Sequence, residues 1–214
     1  MNHPTRNATG PHESRNVSWR SRTRTLMAVC ACVMSASAAH AQTGSVTGTI
    51  TATGLRSSEG VVVSLEARGL SVTPPAAPVD MDQQGMAFVP HVLPVVKGTT
   101  VRFLNGDPVR HNVFSPEGDY NLGNWRRGET RDHTFDASGV YTQLCSRHDE
   151  MAAFVVVLET PYFATTDAAG AFEITNVPPG EYTLVAWSET LKTARQTVTV
   201  TAAKPVAVNL TLTK

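Results

Sequence analysis

The sequence has little cysteine, no excess of either charge and no long apolar run, and each shortage closes off a class of protein. Three cysteines in 214 residues cannot staple a disulfide-dense scaffold. Eighteen Lys and Arg stand against eighteen Asp and Glu, so no basic field points to nucleic acid. The longest apolar stretch, from Leu26 to Ala36, has about eleven residues, whereas a bilayer span needs about 20. A multi-span membrane protein is therefore excluded. No C-x-x-C-H occurs, which disfavours covalently attached haem. At 17% charged and 41% hydrophobic residues, the composition is that of soluble globular domains, neither a disordered tail nor a collagen-like fibre.

What is present begins with an export label. Arg15, Arg20, Arg22 and Arg24 precede the apolar run, which closes on Ala39-His40-Ala41, an A-x-A cleavage pattern. Residues 1–41 are thus expected to be a signal peptide and the mature protein to be periplasmic. The polar stretch ahead of Arg15 is long for such a signal and leaves the true start codon open. Lipid anchoring at Cys32 is the weaker alternative. Five of the cationic side chains and one of the acidic ones lie in residues 1–41, leaving 13 against 17 beyond them. Cys30 and Cys32 depart with the label, so Cys145 is the one thiol of the mature chain. A lone thiol in an oxidising compartment is a liability unless a metal, a lipid, a second chain or a reaction occupies it.

Beyond Gln42 the pattern is short alternating segments broken by Gly and Pro. Val46–Ile50, Val61–Leu65, Val101–Phe103, Phe154–Leu158, Phe172–Ile174, Tyr182–Leu184 and Val206–Leu212 read as strands. In the last, Val206, Val208, Leu210 and Leu212 share one face. Trp187 to Arg195 is the one place where a brief helix is expected. The fold class is therefore all-β, built from antiparallel sandwiches.

Residues 76–158 hold the chemically interesting side chains and are expected to form one domain. The flanks, 42–72 and 160–214, are each too small to close a core alone. Read together, Gly44–Ile50, Gly60–Leu65, Thr165–Phe172 with Asp167-Ala-Ala-Gly170, and Val177–Leu184 with Pro178-Pro-Gly180 resemble a carboxypeptidase regulatory-like domain. That resemblance implies a transthyretin-like β-sandwich, split by the middle domain between its second and third strands.

Within the middle domain, Cys145-Ser-Arg-His148-Asp-Glu-Met151 sets a thiol, an imidazole and a thioether three residues apart, and His111 lies 34 residues upstream of Cys145. A thiolate, two imidazoles and a weak axial thioether suit copper. Met is a poor zinc ligand. One loop between paired strands can aim three side chains at a single centre while a neighbouring strand supplies the fourth. The competing reading is that these four side chains merely pack. His91 and His133 are read as surface strand residues, Met81 and Met86 as packing around a turn, and Trp125 and Trp187 as too isolated for a recognition platform.

The C-x2-H-x2-M loop, with Phe88-Val-Pro90, Val96–Phe103 and His111-Asn-Val113, resembles the cupredoxins, amicyanin and plastocyanin among them, with the loop spacing closer to amicyanin. Fusions of a cupredoxin to a regulatory-like sandwich also occur, some labelled methylamine-utilisation proteins, a label of genomic context only. The resemblance implies a Greek-key sandwich with one type 1 copper ion on His111, Cys145, His148 and Met151, and Asn112 tying the ligand loops together. It implies electron transfer and no enzymatic activity, with His148 as the electron port and Ala152, Ala153, Pro108 and Val109 as an apolar rim. Arg110 and Arg147 would favour an acidic redox partner such as a c-type cytochrome or a dehydrogenase. A periplasmic module that delivers or senses copper is the alternative. A third reading, Cys145 as nucleophile with His111 as base, needs an orienting acid and a substrate cleft, and the sequence displays neither.

Overall fold

The computed structural model describes residues 42–202 and 204–214; the signal peptide expected at 1–41, with Cys30 and Cys32, lies outside the described residues. Among the described residues every regular element is a strand. The chain opens with β1 (Gly44–Ala52) and β2 (Val62–Glu66). Nine strands follow: β3 (Val79–Gln84), β4 (Ala87–Val89), β5 (Val92–Val96), β6 (Thr99–Phe103), β7 (His111–Ser115), β8 (Tyr120–Trp125), β9 (Arg131–Phe135), β10 (Gly139–Leu144) and β11 (Ala152–Leu158). It closes with β12 (Phe163–Thr165), β13 (Ala171–Val177), β14 (Gly180–Trp187), β15 (Ala194–Val200) and β16 (Val206–Leu212).

These strands make four sheets. The orders β13-β1-β16 and β12-β2-β14-β15 draw on the first two and last five strands, and β5-β11-β10-β7-β8 and β4-β3-β6-β9 on the nine between. Each pair encloses its own core. The flanking strands bury Val46, Ile50, Leu65, Leu184 and Leu212; the central strands bury Met81, Phe103, Val113, Trp125, Phe135 and Met151. Burying one such side chain contributes about 1.5–3 kcal/mol. The all-β expectation holds.

Strand β11 reads as a continuous apolar run because both of its faces are covered. In β11, Ala153, Val155 and Val157 point into the central core, while Val156 shares a cleft with Val62 and Ser64 of β2 and Val185 of β14. Phe154 meets Trp187 edge-on, ring centroids 5.7 Å apart. His91 closes that side through a 2.6 Å contact with Glu189.

At the Asp167-Ala-Ala-Gly170 turn, Gly170 has φ 80°, its amide donates to Asp167 O, and its carbonyl accepts Ile50 N–H at 2.8 Å. Asp167 Oδ1 accepts the amides of Ala169 and Ala171. At the Pro178-Pro-Gly180 corner the left-handed residue is instead Asn176, φ 58°, and Gly180 opens β14.

The brief helix expected over Trp187 to Arg195 is absent. Trp187 ends β14 and Ala194 begins β15, with Ala186 paired to Ala194. Ser188, Thr190 and Thr193 are weak helix formers, and Leu191 is the corner's one large apolar residue, buried in the flanking core. Lys192 N–H donates to Thr213 O at 2.8 Å, which fixes the corner as an irregular connection.

Candidate metal centre

The C-x2-H-x2-M loop runs from the end of β10 to the start of β11 as two successive reverse turns. His148 N–H donates to Cys145 O at 3.3 Å, and Met151 N–H donates to His148 O at 3.0 Å. This i to i+3 closure explains the spacing, because each turn restarts the chain beside its origin and brings every third residue toward the same end of the sandwich. His111 opens β7, whose Phe114 pairs with Leu144 of β10, so the fourth donor arrives from the adjacent strand.

Three donor atoms converge. His111 Nδ1 lies 3.1 Å from His148 Nδ1, and Cys145 Sγ lies 3.6 Å from His148 Nδ1 and 4.0 Å from His111 Nδ1. Ligands about 2.0–2.3 Å from one shared ion cannot be more than roughly 4.4 Å apart, and all three separations meet that limit. Met151 is 1% exposed and belongs to the same core as Cys145. Cys145 is 4% exposed and His111 fully buried, while His148 is half-buried. A soft thiolate and thioether with two imidazoles select copper. The four residues make a type 1 copper site.

The surrounding hydrogen bonds hold these donors before any metal enters. Asn112 N–H points at Cys145 Sγ, 3.4 Å away, a favourable contact for a thiolate. Asn112 Oδ1 accepts Ser146 N–H at 3.1 Å, and its Nδ2 donates to Asn121 Oδ1 and Gly123 O, each at 2.8 Å. These last two bonds span a bulge, since the β7–β8 register shifts between Asn112 and Phe114; bulges commonly sit beside functional sites and re-aim a side chain. Gln83 Nε2 donates to Asn112 O at 3.0 Å.

Two residues absent from the sequence reading matter here. Asp107 Oδ2 lies 2.9 Å from His111 Nε2. Its carboxyl is held below the usual carboxylate range, chiefly by the amide of Met86, with further help from Gly85 and His111. Asn105 fixes the loop that carries Asp107, donating from Nδ2 to Val109 O and Trp125 O and accepting Asp107 N–H on Oδ1 at 2.9 Å. The signal was an Asn105-Gly-Asp-Pro108 run whose Asp stands four residues ahead of His111, which on its own reads as a turn.

The remaining candidates are distributed as follows. Arg110 and Arg147 are exposed on either ligand segment, as are Pro108 and Val109. Ala153 is fully buried in the central core and takes no part in a rim, because it alternates with Ala152 along β11. His133 is not a solvated strand residue: it is half-buried and stacks on Tyr120 with ring centroids 3.8 Å apart. Burial lowers its pKa. Met81 is fully buried core, and Met86 sits in the turn that faces Asp107. Trp125 is fully buried. A cleft of about 780 Å³ lies between β2, β14 and β15 on one side and β10 and β11 on the other, and none of the four ligands lines it.

Residues 76–158 match the copper-binding proteins of the plastocyanin/azurin family, and residues 150–213 match the carboxypeptidase regulatory-like domain. Similar solved structures include a novel purple cupredoxin from Nitrosopumilus maritimus, 26% identical, covering 37% of this chain and 99% of that one at a TM-score of 0.35. A reduced mutant form of amicyanin is 21% identical and covers 45% of this chain and 98% of its own at 0.37. A Cu-containing nitrite reductase from Thermus scotoductus SA-01 is 26% identical over 51% of this chain and 28% of its own, at 0.38. No curated protein matches the chain.

Proposed function

We propose that this chain, which carries a plastocyanin/azurin-type copper domain beside a carboxypeptidase regulatory-like domain, is an exported carrier of single electrons between redox proteins. One observation supports this reading above the others: the donor set is closed. Three of its four side chains are buried to 4% exposure or less, and the large cleft lies elsewhere, so a substrate has no place beside the donors. Such a centre suits electron exchange and not bond making.

Bound copper supplies a one-electron couple between its cupric and cuprous forms. The protein's part is to keep the donors in place through the change. The double turn, the Asn112 bonds and the tight core restrain Cys145, His111 and Met151, which leaves little to rearrange when the electron arrives. His148, the half-exposed ligand, is the port through which a partner couples to the site. The exposed Arg110 and Arg147 beside the two histidines favour an acidic docking face on that partner, of the kind a c-type cytochrome or a dehydrogenase presents. The A-x-A label at Ala39-His40-Ala41 supports a periplasmic location. No helix among the described residues is long and apolar enough to cross a membrane.

Repeated reduction and reoxidation of the copper-loaded protein beside a cuprous chelator tests the carrier role. Retention of the metal through many cycles, with one electron taken up per copper, is expected. Transfer of copper to the chelator at each reduction would instead favour a metal-delivery module.

A further inference from the structure

A carboxylate outside the ligand set touches a ligand ring directly. His111 is fully buried, and its Nε2 faces Asp107 Oδ2 at 2.9 Å. The same oxygen accepts Met86 N–H at 3.0 Å, and Oδ1 accepts Gly85 N–H at 2.8 Å. Asp107 N–H is in turn fastened to Asn105 Oδ1. Two backbone amides and the Nε2 of His111 thus converge on one carboxylate, which is 13% exposed. With its proton on Nε2, His111 presents a bare Nδ1 toward Cys145 and His148, the direction the ligand role requires. Among the described residues the ring nitrogen contacts of His148 are to His111 and Cys145, with no carboxylate beside them.

We propose that Asp107 is a positioning residue for His111, fixing its Nε2–H tautomer and lowering the reduction potential of the copper site by favouring the cupric over the cuprous state. The inference rests on the copper reading above. A carboxylate on the distal nitrogen raises the donor strength of a ligating imidazole, and a fixed negative charge in a weakly polar surround stabilises the more positive metal state more.

The test measures the reduction potential and visible spectrum of copper-loaded wild type, Asp107→Asn and Asp107→Glu, and ring-nitrogen NMR of the copper-free protein. In Asp107→Asn one oxygen becomes an NH2 that cannot accept. The ratio of cupric to cuprous affinity is expected to fall about tenfold, a rise of roughly 59 mV, with the visible band kept. Asp107→Glu retains the charge and should return most of the shift; equal potentials in the Asn and Glu variants would reduce Asp107 to a turn-forming residue and overturn the proposal. So would a wild-type potential in Asp107→Asn. The NMR arm needs neither copper nor a variant that folds. His111 protonated on Nε2 with Nδ1 bare is expected, and the opposite tautomer overturns the assignment. If the copper reading itself fails, wild type and variants alike lack the band, whereas failure of the Asp107 proposal leaves the band intact in each.

Discussion

Ser146 N–H donates to the side-chain oxygen of Asn112 at 3.1 Å, fastening the loop after Cys145 to the strand that bears His111. The backbone amide of Asn112 faces the Cys145 sulfur, and its side-chain nitrogen closes the neighbouring bulge. One residue therefore holds both ligand segments at their working separation.

Asn112→Ala should cost about 1–3 kcal/mol, since it removes three side-chain hydrogen bonds, to Ser146 N–H, Asn121 Oδ1 and Gly123 O, from a residue that is itself buried. Copper should also leave faster, by about tenfold or more, because supports of this kind tune metal affinity by such factors. Urea unfolding and copper release to a chelator measure the two effects. A variant matching wild type in both would remove Asn112 from the account.

Gly170→Ala should destabilise the flanking sandwich by about 1–3 kcal/mol. The residue sits at φ 80°, and a Cβ there would lie 2.1 Å from Ile50 O, a backbone atom that cannot move aside without disturbing β1. The visible copper band should stay unchanged, since no ligand touches this turn. Thermal unfolding beside a copper spectrum separates the two outcomes.

His133 links stability to pH. Burial lowers its folded pKa below 6.5, so in the window between the two values the unfolded chain binds more protons and stability rises with pH. The loss begins as pH falls through about 6.5 and is complete below the folded value. His133→Phe keeps an aromatic ring against Tyr120 and has no proton to bind. Its stability relative to wild type should therefore increase between pH 7.5 and pH 5. Parallel denaturation curves at both pH values would show that the ring does not titrate differently on folding.

Arg147→Glu should slow reduction by an acidic partner about tenfold at low ionic strength, with the difference vanishing as salt screens the encounter. Stopped-flow reduction across a salt series measures this. An unchanged rate would leave Arg147 as a solvated side chain with no docking role.

The ligand set was legible because its spacing is its mechanism: two reverse turns repeat every three residues, and Cys145, His148 and Met151 stand at those intervals. Val206–Leu212 was legible because one of its faces is buried and the other is wet. Around His133 a strand was legible but its setting was not: Arg131, Asp132 and Thr134 are exposed, and the pairing with Thr99–Phe103 that places His133 against Tyr120 is a long-range one. Tyr120–Trp125 carries Asn and Gly in mid-strand, which a composition reading assigns to a turn, yet Asn121 Oδ1 and Gly123 O accept the Asn112 side chain beside the bulge. Asp107 escaped notice for a related reason. Its contact with His111 depends on a loop curled by Asn105 bonds to Val109 and Trp125, and nothing in the order of residues displays that curl.

Addition of cupric ion to the purified protein, with and without Cys145→Ser, tests the centre most directly. The account predicts an intense visible thiolate-to-copper band at one copper per chain in the native protein and its loss in the serine variant. Absence of the band from the native protein, or its survival without the thiol, would contradict the assignment of Cys145, His111, His148 and Met151 to a single ion.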